Sequence, residues 1–294
     1  MLSDLILSFE QSPVFFYSTV LFTALAIGSF LNVVILRLPK MLHQSWYHEC
    51  REFLSDEIKD IPVKEQTKVT LSKPSSTCPK CGHSIRFYEN IPIVSWLALR
   101  GKCSQCRNKI SIRYPIIEAA TALLSLVIAS QFGVSDNTLF LLILTWGLVA
   151  LTMIDLDHML LPDQLTLPLL WLGLLVNVKG TFIPLEQAVI GAAVGYMSLY
   201  SVFWLFKLLT GKEGMGHGDF KLVAVFGAWM GWQLLPLLIL MASAVGAIVG
   251  ISLIVLKGHK REQAIPFGPY LAVAGWITLL WGQGLWDWYL NLLI

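Results

Sequence analysis

The stretch LFLLILTWGLVALTMIDLDH, residues 139–158, decides the fold. Sixteen residues without a charge are followed by Asp155 and Asp157. A membrane-crossing helix needs about 20 mostly apolar residues. The pattern recurs along the chain. Spans are expected at 14–36, 115–133, 138–154, 165–179, 185–209, 220–232, 234–256 and 267–290. The expected fold is therefore an all-α polytopic membrane protein of about eight transmembrane helices. Composition agrees: of 294 residues, 55% are hydrophobic and 14% charged, against roughly 25% charged in a soluble domain. The net charge of +2 gives no basis for binding nucleic acid.

The basic residues orient these spans, because Lys and Arg favour cytoplasmic loops. Fourteen of the 21 lie between Arg37 and Arg113. Lys207, Lys212 and Lys221 surround one later loop, and Lys257, Lys260 and Arg261 another. With both termini outside the cytoplasm, only Lys179 falls on the outer side. Three regions are expected: a first helix (1–37), a cytoplasmic block (38–113) and a membrane domain (114–294). Within the block, Leu42, Trp46, Cys50, Phe53 and Glu57 step at helical spacing, as in a short amphipathic helix lying on the membrane.

Cys78-Pro-Lys-Cys81 and Cys103-Ser-Gln-Cys106 form two C-x-x-C pairs 21 residues apart. Two such pairs complete a tetrahedral sulfur shell, for which structural Zn2+ is the usual occupant. Gly82 and Arg107-Asn108 stand where the turns after each pair need a permissive backbone. Four cysteine ligands leave no open position for catalysis, so the expected unit is a small structural zinc ribbon. Cys50 is left over as a bystander thiol.

Acids close to apolar spans are costly. Asp155, Asp157 and Asp163 follow the third span, and Gly216-His217-Gly218-Asp219-Phe220-Lys221 opens the sixth, on the same side in this topology. Two adjacent carboxyls can share one proton, the ionised one drawing a proton from water and the other polarising a peptide carbonyl. Gly214, Gly216 and Gly218 would let a substrate backbone approach and could take positive φ. Helix dipoles place Asp155 in the negative field of a C-terminus and Asp219 in the positive field of an N-terminus. Ordinary loop charges paired with Lys212, Lys221 or His158 would carry the same residues.

Gly28-Ser29-Phe30-Leu31-Asn32 with Arg37-Leu38-Pro39, the tract from Cys78 through Glu89-Asn90-Ile91-Pro92 and Ser95-Trp96-Leu97 to Arg113-Tyr114-Pro115 and Glu118, Ile154-Asp155 with Leu161-Pro162-Asp163, and Gly216-His217-Gly218-Asp219 resemble the bilobed type IV prepilin peptidases, which are leader peptidase/N-methyltransferases of the Gly-x-Gly-Asp class. The resemblance covers nearly the whole chain; the insert 41–70 is its least typical part. It implies that Asp155 and Asp219 are a catalytic pair, supported by Asp157, Asp163, Gly216, Gly218 and Lys221. It implies cleavage of type IV prepilin or secretion pseudopilin leaders at the cytoplasmic face of a bacterial inner membrane. It further implies N-methylation of the new terminus from S-adenosylmethionine, with Gly101, Lys102 and Glu118 the residues assigned to that half. A transporter or a pilus-assembly scaffold carrying a zinc-ribbon regulatory domain is the alternative. Midplane acids would favour the transporter; tolerance to loss of both aspartates would favour the scaffold. Asn32 is expected to bond a neighbouring helix, and Gly191-x-x-x-Gly195 and Gly246-x-x-x-Gly250 to mark close helix packing.

Overall fold

A computed structural model describes residues 2–54, 69–257 and 265–293. Glu57, Lys260 and Arg261, used above, lie outside the described residues. The described chain is helical, without strands. It falls into two compact units, residues 1–142 and 143–294.

The first unit is built on two helices. After the short α1 (Leu2–Gln11), α2 (Pro13–Leu54) runs for 42 residues and pairs with α4 (Arg113–Phe132). At 1.5 Å per residue α2 is about 63 Å long, twice the hydrocarbon core of a bilayer. The segment expected as a separate surface helix thus continues the first span as far as Leu54. Pro39 removes one backbone hydrogen bond without ending the helix, and Ser45 donates to Glu49 Oε1 at 2.7 Å one turn apart beyond it. The crossing with α4 is close because Gly28 has no side chain: a Cβ there would lie 2.8 Å from Glu118 Cα. Asn32 donates from Nδ2 to the carbonyls of Gly28 and Tyr114, at 3.2 and 3.3 Å, the helix-to-helix bond expected of it. Phe16, Val20 and Ala129 form the small core at the other end, against Phe9, Leu126 and Val134.

Between α2 and α4, Cys78 to Cys106 fold as two matching turns. In the first, the Gly82 N–H donates to the Cys78 carbonyl and the Cys78 N–H to the His83 carbonyl. In the second, Arg107 donates to Cys103 and Cys103 to Asn108 in the same way. Gly82 and Arg107 both take positive φ, 71° and 57°, as their places after each pair demanded. Isolated bridges Thr77–Ser84 and Lys102–Lys109 stand in for the strands of a ribbon. The short α3 (Val94–Ala98) connects the two turns.

The second unit surrounds α8 (His217–Met230). Phe220, Leu222, Val223, Val225, Phe226, Ala228 and Trp229 are fully buried, so from Leu222 onward α8 is apolar all round and has no solvent or lipid face. It packs on α6 (Asp163–Asn177), α7 (Leu185–Thr210) and α10 (Gly268–Leu293). Backbones touch at the α7–α8 crossing: a Cβ on Gly191 would overlap the Gly227 carbonyl oxygen, and one on Gly195 would lie 2.7 Å from the Val223 oxygen. The Gly191-x-x-x-Gly195 reading holds. Gly246, on α9 (Leu235–Lys257), meets the rings of Tyr270 and Phe267 instead of a backbone. Trp229 Nε1 donates to the Leu169 carbonyl at 2.9 Å and Asn177 Nδ2 to that of Ala228 at 2.9 Å, tying α8 to α6.

Among the described residues, eight of the ten α-helices overlap the stretches expected as spans. Five described helices are long and apolar enough to cross a membrane: α2, α4, α5 (Asp136–His158), α7 and α9. α6 and α8, with 15 and 14 residues, extend only about 22 and 21 Å.

Candidate active site and metal centre

Asp155 sits in the last turn of α5, and Asp219 in the first turn of α8. Both are buried, at 5% and 6% exposure, where an acid is retained only with compensation. Asp219 lies within the field of the Asp155 charge. The link between them is Leu161, in the turn after α5. Its side chain fills the space beside Gly218, whose Cβ would come 2.7 Å from Leu161 Cβ. The same side chain reaches Gly268 at the start of α10, where a Cβ would lie 3.2 Å from Leu161 Cδ1 and 2.6 Å from Asp155 Oδ2. The Gly268 N–H donates to that Oδ2 at 3.0 Å.

This bond changes the field expected at Asp155. Its carboxyl ends the negative pole of α5, but it also faces the positive start of α10, where amide hydrogens lack intrahelical acceptors. Both acids therefore meet a helix N-terminus, and the contrast expected from their own helices is lost.

The glycines also behave differently from expectation. Gly214, Gly216 and Gly218 all have negative or extended backbones, and Gly216 is at φ −79°, ψ 146°. Phe206 covers Gly214 and Leu161 covers Gly218. Only Gly216 stays open, with Asp219 Oδ2, 3.7 Å from a Cβ built there, the sole neighbour within 4 Å.

The supporting residues divide. Lys221 Nζ binds both oxygens of Asp163, at 2.6 and 2.8 Å, pinning the starts of α6 and α8 to each other. Asp157, about 200° around α5 from Asp155, is exposed. His217 packs against the rings of Phe203 and Phe220, at 5.2 and 5.4 Å. Gly268 escaped the sequence reading. The signal was the Pro266-Phe267-Gly268-Pro269 tract at a span start, two helix-blocking residues bracketing a glycine.

In the first unit the four cysteine sulfurs lie within 4.8 Å of one another, and Cys78 and Cys106 are 3.7 Å apart. A tetrahedral ion with sulfurs at 2.3 Å needs edges of about 3.8 Å. The set can therefore hold a metal ion. N–H groups of Cys81 and Lys80 bring the Cys78 thiol down to about 6. Cys81, though exposed and receiving an N–H from His83, is pushed up to about 11 by partial loss of hydration and the crowding of the other three thiols. A dication would relieve that crowding of sulfur charge.

The residues assigned to methyl transfer meet through α3. Gly101, at φ 65°, lies under the Trp96 ring, which a Cβ would strike at 2.8 Å. Lys102 is exposed beside it. Glu118 is buried and accepts the Ile93 N–H at 2.7 Å and a hydrogen bond from Ser29. It therefore holds the start of α3, whose Ile93 is in the left-handed region at φ 60°.

Residues 22–132 match the bacterial peptidase A24 N-terminal domain, and residues 142–251 match the type IV leader peptidase family. The prepilin leader peptidase/N-methyltransferase of Aeromonas salmonicida is 56% identical over 283 residues, 96% of each chain. The chain belongs to the type IV leader peptidase family. Members of the same name from Pseudomonas aeruginosa and Legionella pneumophila are 55% and 44% identical, over 95% and 99% of each chain. Membership makes the chain a membrane peptidase with N-methyltransferase activity. No solved structure matches it.

Proposed function

We propose that Asp155 and Asp219 are the catalytic pair with which this enzyme removes the leaders of type IV prepilins or secretion pseudopilins. What supports the reading is that two buried carboxyls, 64 residues apart in sequence, stand in the last turn of α5 and the first turn of α8, near enough for the charge of Asp155 to act on Asp219. Two such groups cannot both ionise cheaply, so they share a proton. The ionised member takes a proton from water as it attacks the scissile carbonyl; the protonated member donates to that carbonyl oxygen. The open side of Gly216, next to Asp219, is the approach for an extended substrate backbone. Leu161, Asp163 and Lys221 keep the two helix ends in register.

We assign eight spans to the chain, with both termini periplasmic and this site facing the cytoplasm of a bacterial inner membrane, on the strength of the basic-residue distribution. Residues 38–113 then form the cytoplasmic block, and 114–294 the peptidase domain. Zn2+ in the four-cysteine shell would act as a structural cross-link. For the methyltransferase half, S-adenosylmethionine would supply the methyl group to the freed amine. An open cavity of about 520 Å³ beside α3, lined by polar side chains such as Arg86, Glu89 and Gln105 together with the apolar Ala98 and Leu99, is in the size range for such a ligand. Gly101 and Glu118 would hold α3 in place at that cavity, with Lys102 at the surface nearby.

The test is cleavage of a purified prepilin in lipid vesicles by wild type, Asp155→Asn and Asp219→Asn. Both variants are expected to fold and to lose cleavage by about 10²–10⁴-fold, the scale on which acid–base catalysis operates. Wild-type turnover by either one removes that residue from the chemistry.

A further inference from the structure

We propose that Gly268 is the positioning residue for Asp155: its backbone N–H sets the carboxyl, and its missing side chain leaves room for it. The inference rests on the reading of Asp155 as a catalytic acid and adds a third segment to the site. Gly268 lies beyond both segments matched by the family models, which end at residues 132 and 251.

Three observations converge. The Gly268 N–H donates to Asp155 Oδ2 at 3.0 Å, a buried bond across 113 residues. The peptide that carries this N–H is held at its other end: its carbonyl, that of Phe267, accepts the N–H groups of Tyr270 and Leu271 at 3.1 and 3.2 Å. The first turn of α10 thus fixes the plane of the peptide and the direction of its donor. Pro266 and Pro269 restrict the backbone on either side. Finally, φ at Gly268 is not positive, so no backbone demand selects glycine. Space does: a Cβ would lie 2.6 Å from Oδ2 and 3.2 Å from Cγ of Asp155. Any side chain must turn the carboxyl away. With Oδ2 committed to the backbone donor, Oδ1 is the oxygen that meets substrate or water.

Two variants separate donor from space, in the full-length enzyme in vesicles with a prepilin substrate. Gly268→Ala keeps the N–H and adds the methyl. Replacement of Gly268 by glycolic acid through nonsense suppression keeps the space and substitutes an ester oxygen for the N–H. Gly268→Ala is expected to lower kcat on the order of 100-fold, the effect of about 1 Å of misplacement, with KM changed by less than about twofold. The glycolate enzyme is expected to lose roughly tenfold or more in kcat and to shift its pH–rate profile. Wild-type kcat and pH profile in the glycolate enzyme overturn the inference, even if Gly268→Ala fails to fold. Asp155→Asn, assayed alongside, keeps the two readings distinct. If it cleaves like wild type, the catalytic pair itself is wrong. If it is inactive while both Gly268 variants are normal, only the positioning role falls.

Discussion

Gly191→Ala should separate α7 from α8 and cost more than any exposed glycine substitution in this chain. A Cβ on Gly191 overlaps the Gly227 carbonyl oxygen and lies 2.9 Å from the carbonyl carbons of Gly227 and Gly231. These are backbone atoms, so no rotamer change relieves the clash. The helices must part by about 1 Å, near the gap that already forfeits a quarter to a half of each dispersion contact. Overpacking of this kind costs typically 1–3 kcal/mol, and the upper end applies where the neighbour is backbone. A loss of about 3 kcal/mol is roughly a 150-fold change in the unfolding constant. Gly284→Ala is the internal control. It lies in α10 with nothing within 4 Å of an added Cβ, and should be neutral or stabilising by up to about 1 kcal/mol. Reversible unfolding in mixed micelles compares the two directly. Because α8 carries Asp219, Gly191→Ala should also lose more cleavage than its unfolded fraction accounts for. Equal unfolding midpoints for Gly191→Ala and Gly284→Ala would show that backbone contact does not hold α8 in place.

The remaining expectations concern the polar contacts. Lys221→Ala should change stability by less than about 1 kcal/mol, because its pair with Asp163 is partly exposed; thermal unfolding checks this. Glu118→Ala should cost about 1–3 kcal/mol by stranding the Ile93 N–H, and Glu118→Gln less, with faster proteolysis of 70–112 as the readout. Loss of methylation by both variants alike, with cleavage and stability intact, would instead assign Glu118 a chemical role. Cys78→Ser and Cys103→Ser should each reduce bound metal from about one ion per chain to near none by elemental analysis. Glu89 is held at about 2 by the Ser104 hydroxyl, the Arg86 N–H and His83. Its carboxyl is depressed on folding, so its contribution is full above its ordinary value of 4.5 and lost as pH falls from there through about 2. The stability difference between wild type and Glu89→Gln should therefore shrink across that window.

What the sequence made legible follows one rule: it is written in side chains. Apolar runs marked the helices, paired cysteines marked a four-sulfur cluster that could hold a metal ion, and isolated acids at span ends marked the two buried aspartates, Asp155 and Asp219. The small-xxx-small spacing of Gly191 and Gly195 marked a crossing, and Asn32 a buried bond. The features that escaped are written in backbone. Gly268 acts through an N–H that every residue but proline possesses, and only its bracketing prolines hinted at a fixed peptide. The partner of Glu118 is the amide of Ile93, held by a left-handed turn that no β-branched residue advertises. Glycine is ambiguous for the same reason. In Gly214, Gly216 and Gly218 it looked like freedom of φ, yet two of the three are sockets for Phe206 and Leu161, and one is open space. A missing side chain states that something approaches; whether it is a neighbouring helix, a leucine, a carboxyl or a substrate depends on the fold. That is why Gly216, extended and unfilled beside Asp219, is the position where a methyl group should disturb substrate without disturbing the protein. Gly216→Ala with wild-type stability and impaired kcat/KM is the expected result; wild-type kcat/KM would mean that substrate approaches the pair from another side.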